Sequence, residues 1–89
     1  MTPKDAFDVL VTVLGREPGN RVIESTYDDH NFGNFFISYT HQEIEHSVVC
    51  DRGELALCDG LLGTKNCRTI FPALRSVDEQ MILGRLGLS

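Results

Sequence analysis

An α+β fold, an antiparallel β-meander of three to four strands with an N-terminal and a C-terminal helix packed on one face, is what these 89 residues predict. Three observations carry it. Apolar side chains recur at helical spacing near the start, the middle alternates apolar and polar residues with period two, and residues 77–86 return to a helical pattern. A chain of this length hides only about 60–65% of its unfolded surface, so residues 1–89 read as a single domain. With 42% hydrophobic and 24% charged residues, no stretch is polar enough to be disordered.

The first helix has a defined start. Thr2 caps, Pro3 suits the first helical position and Asp5 stands where a capping-box acid belongs, so the helix begins at residue 3. Phe7, Leu10, Val11 and Leu14 form one apolar stripe, widened by Val9 and Val13, which suits a helix lying on a sheet. It ends near Leu14, with Gly15 offering a left-handed terminus. After the Glu17-Pro18-Gly19-Asn20 turn, Arg21 to Thr26 reads as a short strand. Tyr27 to Asn31 is a polar loop. Phe32 to Thr40 is the most β-like stretch, with Phe35, Ile37 and Tyr39 on one face and Phe36, Ser38 and Thr40 on the other.

Glu43 to Cys50 repeats this alternation. A two-residue loop at His41-Gln42 would set Tyr39 opposite Ile44, Ile37 opposite His46 and Phe35 opposite Val48 on the buried side. Thr40 would then face Glu43, and Ser38 would face Glu45, on the other. A two-residue turn at Arg52-Gly53 sets Val48 against Leu57 and Cys50 against Leu55. A three-residue loop through Asp51-Arg52-Gly53 with a bulge at Gly53 is equally good chemistry and shifts the register by one. The register that buries Leu55 and Leu57 is preferred. Gly60 to Gly63 turns the chain, and residues 64–74 carry no decisive pattern. Ser76-Val77-Asp78-Glu79 reads as a capping box that opens a second helix over about 77–86, with Val77, Met81, Ile82, Leu83 and Leu86 on its apolar side.

Charge is unevenly placed. Residues 24–59 hold eight of the thirteen carboxylates against Arg52 alone, a local net charge of −7 that exceeds the −5 of the whole chain. Such a surface repels nucleic acid and anionic lipid and attracts basic proteins, although excess carboxylate also serves plain solubility. Phosphate binding needs clustered Lys and Arg, which the strands lack. No apolar run approaches the ~20 residues that span a bilayer, and Asp5 and Asp8 beside Lys4 do not make a signal peptide. A cytoplasmic protein is therefore expected. Three cysteines, Cys50, Cys58 and Cys67, leave one unpaired in any compartment, and reduced thiols are the expectation.

Catalytic and metal chemistry find little footing. His41, His46, Cys50 and Cys58 lack the close pairwise spacing of small zinc modules, and no metal or other cofactor is expected. Asp28-Asp29-His30 sets carboxylates beside an imidazole, but adjacent residues of an extended chain point apart. His46 reads as a satisfied core histidine. There is no Gly-rich phosphate loop and no nucleophile elbow, so the chain does not read as an enzyme.

The candidate binding surface is the uncovered sheet face. It gathers Ser38, Thr40, Glu43, Glu45 and Glu54 around Phe36 and Val49, an aromatic centre with a polar rim, and Asp28 and Asp29 add charge at one end. An ordinary solvated sheet face with a stray phenylalanine is the plainer alternative.

Glu24-Ser25-Thr26-Tyr27-Asp28, Phe32-Gly33-Asn34 and Val49-Cys50-Asp51-Arg52-Gly53-Glu54, in that order, resemble the E-S-x-Y-D, F-G-N and V-x-D-R-G pattern of small bacterial immunity proteins from contact-dependent and other polymorphic toxin systems. The resemblance spans residues 24–54, and Cys50 stands where the pattern carries arginine. It implies a toxin-neutralising protein without catalytic residues of its own. With the charge argument, the expectation is a monomer or weak dimer that binds a cognate toxin domain, a basic nuclease, and occludes its active site. Asp28, Asp29, Phe36, Ser38, Glu43, Glu45 and Glu54 are the candidate contact residues. A small acidic secretion-type chaperone, holding an effector segment on the same face, is the alternative.

Overall fold

The computed structural model describes residues 1–30, 33–59 and 66–87. In chain order these form α1 (Pro3–Arg16), β1 (Asn20–Asp28), β2 (Asn34–His41), β3 (Ile44–Asp51), β4 (Glu54–Asp59), β5 (Asn66–Phe71), a single 3₁₀ turn (Leu74–Ser76) and α2 (Glu79–Arg85). The strands make one antiparallel sheet in the order β1-β2-β3-β4-β5. The fold class is the α+β meander with terminal helices that the sequence predicts, but with five strands rather than three or four. The added strand is β5, in the stretch where no periodicity was decisive. The expected turn at Gly60–Gly63 and the start of the second strand at Phe32 lie outside the described residues.

α1 begins as its sequence requires, with the Thr2 side chain accepting from the Asp5 N–H at 3.1 Å. It continues past Leu14 to Arg16: Gly15 stays helical, and the Glu17 N–H closes the last turn on the Val13 carbonyl. Gly19, at φ +86°, makes the reversal into β1. The second helix starts later than the expected 77. Its cap is Asp78, which accepts from the Met81 N–H at 2.9 Å, because Ser76 and Val77 are taken up by the 3₁₀ turn before it.

The two central hairpins differ from each other. Around Arg52-Gly53 both residues have positive φ, +53° and +80°, the two-residue turn that matches strand twist, and Val48 faces Leu57 and Cys50 faces Leu55 as expected. At the β2–β3 connection the turn residues are Gln42 and Glu43, at φ +52° and +70°, not His41 and Gln42. Pairing therefore moves by two residues: Tyr39 faces His46, Ile37 faces Val48, Phe35 faces Cys50, and Thr40 rather than Ser38 faces Glu45. Because the shift is even, no β2 side chain changes face. Ile44, expected inside, is carried beyond the core and is 62% exposed. A tertiary contact explains the choice. The Gln42 N–H donates to the Gly19 carbonyl at 3.0 Å, tying this turn to the one that ends α1.

Both helices cover one face. Ala6, Leu10 and Leu14 of α1 and Ile82 of α2, with Leu74 and Val77 between them, join Phe35, Ile37, Val48, Cys50, Leu55 and Ile70 in one buried cluster. Full burial of a Leu, Ile or Val is worth about 1.5–3 kcal/mol each. The ring of Phe7 packs 5.4 Å from both Tyr27 and Phe35, fixing α1 over β1 and β2. Gly33 is pressed into this corner: a Cβ there would lie 2.9 Å from Pro3 Cβ and 3.0 Å from the Tyr27 hydroxyl, at φ +72°.

The cysteines depart from the reduced-thiol expectation. Cys58 and Cys67 face each other across β4 and β5, with Cα atoms 4.1 Å apart, and form a disulfide. The fifth strand is what brings them opposite one another. Cys50 is free and buried, and burial pushes its thiol above the ordinary range. Among the described residues no helix is long and apolar enough to cross a membrane.

Candidate functional site

The face turned away from both helices follows from the registers. One row runs across the strands as Thr26, Phe36, Val49, Ala56 and Thr69. The row beside it runs Glu24, Ser38, Ser47, Cys58 and Cys67, of which Ser38, Ser47 and Cys58 are buried, and on the other flank Asp28, Asn34, Asp51 and Glu54 line up. The centre is apolar and small, and the rim is acidic. A shallow depression of about 370 Å³ opens at Phe36 and Val49, bounded by Thr26, Asn34 and Asp51. Phe36 is half-buried, and Val49 likewise.

Several rim side chains are held in place. Asn34 donates to Asp51 Oδ1 at 3.2 Å while its Oδ1 accepts the Arg52 N–H at 2.8 Å, so the β3–β4 turn and the Asp51 carboxylate are fixed together. The Thr69 hydroxyl donates to Glu54 at 2.7 Å, and Ser38 donates to Glu45 at 3.2 Å. Carboxylates restrained this way lose less side-chain entropy when a cationic partner arrives. Asp28 Oδ1 accepts the His30 N–H at 3.0 Å, which shapes the turn leaving β1.

Of the expected contact residues, Phe36, Ser38, Glu45, Glu54 and Asp28 share this face. Ser38 is itself buried, lying under the side chain of Glu45 that it bonds. Glu43 is not on the face. It occupies the left-handed second position of the β2–β3 turn, because the loop begins one residue later than expected. Asp29 sits in the turn after β1, exposed, 3.6 Å from His30 Nε2. Glu24 and Asp51 lie on the same rim and were not among the expected contact residues. Counting in twos from Phe36 through the registers reaches both.

A second feature lies on the helix side. Tyr39, His46 and Asp59 occupy directly opposed positions on β2, β3 and β4. The Tyr39 and His46 rings are 5.4 Å apart, His46 Nδ1 is 2.9 Å from Asp59 Oδ1, and Arg68 Nη1 is 3.9 Å from Asp59 Oδ2. Burial, and then the Asp59 charge, raise the Tyr39 phenol above its usual range. These groups line a cleft of about 320 Å³ between the C-terminal ends of α1 and α2. His46 is thus neither a sealed core residue nor isolated: its side chain is 22% exposed and engaged by a carboxylate.

No family model matches the chain, and no curated protein or solved structure is significantly similar to it.

Proposed function

We propose that this chain is an immunity-type inhibitor whose open sheet face caps a cationic toxin domain, a basic nuclease by preference, and occludes its active site by stoichiometric binding. One observation carries the reading: a sheet face turned away from both helices, with a depression at Phe36 and Val49 and with Glu24, Asp28, Glu45, Asp51 and Glu54 on the same face. An arginine or lysine of the partner has an apolar floor for its stem and carboxylates for its head, the arrangement in which Arg–carboxylate pairing is strongest. The −7 carried by residues 24–59 supplies long-range attraction to the same side of the charge balance. The motif resemblance over residues 24–54 agrees. The site of action would be the cytoplasm of the cell that makes the toxin, where exposed Cys67 and its partner Cys58 are subject to thiol reduction.

The test is co-expression with any toxin domain found to be encoded beside this gene, read as survival, and titration of the two purified proteins. One-to-one binding that abolishes toxin activity and weakens at least about 30-fold with Phe36→Ala supports the proposal. Binding that leaves the partner's activity intact, or that engages only an extended segment of it, replaces inhibition with the chaperone reading.

A further inference from the structure

Arg68 and Arg85 come from opposite ends of the C-terminal region, yet both line the helix-side cleft with Leu14, Leu57 and Leu86. The cleft therefore has an apolar wall and two guanidinium groups. Arg68 lies 3.9 Å from Asp59, beyond hydrogen-bond length, so its donors are not consumed by that carboxylate. Arg85 makes no ion pair among the described residues. Asp59 is engaged more closely by His46, whose Nδ1 lies 2.9 Å from its Oδ1.

We propose that this cleft binds a small monocarboxylate with an apolar or aromatic body, its carboxylate forked by Arg68 and Arg85 and its body against Leu14, Leu57 and Leu86. Guanidinium geometry matches a carboxylate bidentately. A single negative charge fits better than two, because two carboxylates, Glu17 and Asp59, line the cleft beside the two arginines. Tyr39 adds no charge, since its phenol stays protonated at neutral pH. The volume of about 320 Å³ accommodates a ligand of this kind, at the lower end of the usual range for small-molecule pockets. The cleft is on the side of the sheet opposite to the proposed partner face, so the two sites do not overlap.

Titration of the full-length protein with phenylacetate, followed by NMR of the histidine ring and leucine methyl signals, tests this. Shifts at His46 and Leu57 that saturate in the millimolar range, and binding weakened at least about tenfold in both Arg68→Gln and Arg85→Gln, are expected. Both arginines are exposed, so each variant should fold, which an unchanged spectrum elsewhere verifies. Benzyl alcohol binding as tightly as phenylacetate would overturn the proposal by showing that the carboxylate is idle. Phenyl phosphate binding more tightly would overturn the choice of a monocarboxylate, and no shift at His46 or Leu57 would remove the site.

Discussion

Ile37 and Phe36 are adjacent in β2 and equally apolar, yet Ile37 is sealed under the helices at 0% exposure while Phe36 lies half-buried on the open face. The same division runs through the whole sheet. On the covered face, side chains from five strands and two helices interlock, and on the open face the depression at Phe36 is bounded by Thr26, Asn34, Val49 and Asp51. A strand offers side chains to both faces in alternation, so a single stretch of eight residues carries stability on one side and recognition on the other. Substitutions in consecutive positions should therefore fail in different ways.

The largest effect belongs to the covered face. Ile37→Ala removes a fully buried side chain at the centre of the cluster and should cost about 2–5 kcal/mol of folding stability. In a domain whose total stability is expected near the bottom of the ~5–15 kcal/mol range, that is close to unfolding. Chemical denaturation measures it. A loss below about 1 kcal/mol would mean that the two faces are not distinguished by packing.

Phe36→Ala should invert the pattern. Half-burial limits the stability cost to about 1–1.5 kcal/mol, roughly half of what full burial of the ring would be worth. Partner binding should fall by at least about 2 kcal/mol, some 30-fold, if the ring anchors the interface. Paired melts and titrations separate the outcomes. A stability loss of ~3–5 kcal/mol would make Phe36 a core residue, and unchanged affinity would move the interface off the central row.

This division between faces was legible in the sequence, since Phe35, Ile37 and Tyr39 against Phe36, Ser38 and Thr40 is a period-two pattern and any even register shift preserves it. The register was legible only where the turn carried glycine. Arg52-Gly53 announces its own geometry, whereas Gln42-Glu43 holds two ordinary side chains at positive φ because a distant carbonyl, that of Gly19, recruits the Gln42 N–H. No local pattern encodes that bond. β5 was invisible for a related reason: Arg68 and Thr69 beside Cys67 show no apolar alternation, and the strand is held by pairing with β4 and by the disulfide to Cys58. The alignment of Tyr39, His46 and Asp59 depends on two registers at once, so one shifted hairpin was enough to conceal it.

The turn itself is testable. A left-handed conformation costs a non-glycine residue roughly 1–2 kcal/mol, so Glu43→Gly at φ +70° should raise stability by up to about 1 kcal/mol. Glu43 lies off the open face, so the same variant should keep full partner affinity. Lost affinity would return this carboxylate to the interface.

The smallest effect is expected at Glu24. It is exposed on β1 opposite Ser38, and Glu24→Lys should leave stability within about 0.5 kcal/mol. It nevertheless changes the charge of the open face by two units, so association with a cationic partner should slow severalfold at low ionic strength. Screening sets the signature: with a Debye length of about 10 Å at 0.1 M and about 3 Å at 1 M, wild type and variant should converge in on-rate as salt rises. Stopped-flow association across that range is the measurement. A difference that persists at 1 M salt would mean that Glu24 touches the partner directly, and identical rates at every salt concentration would show that the partner does not approach across this face at all.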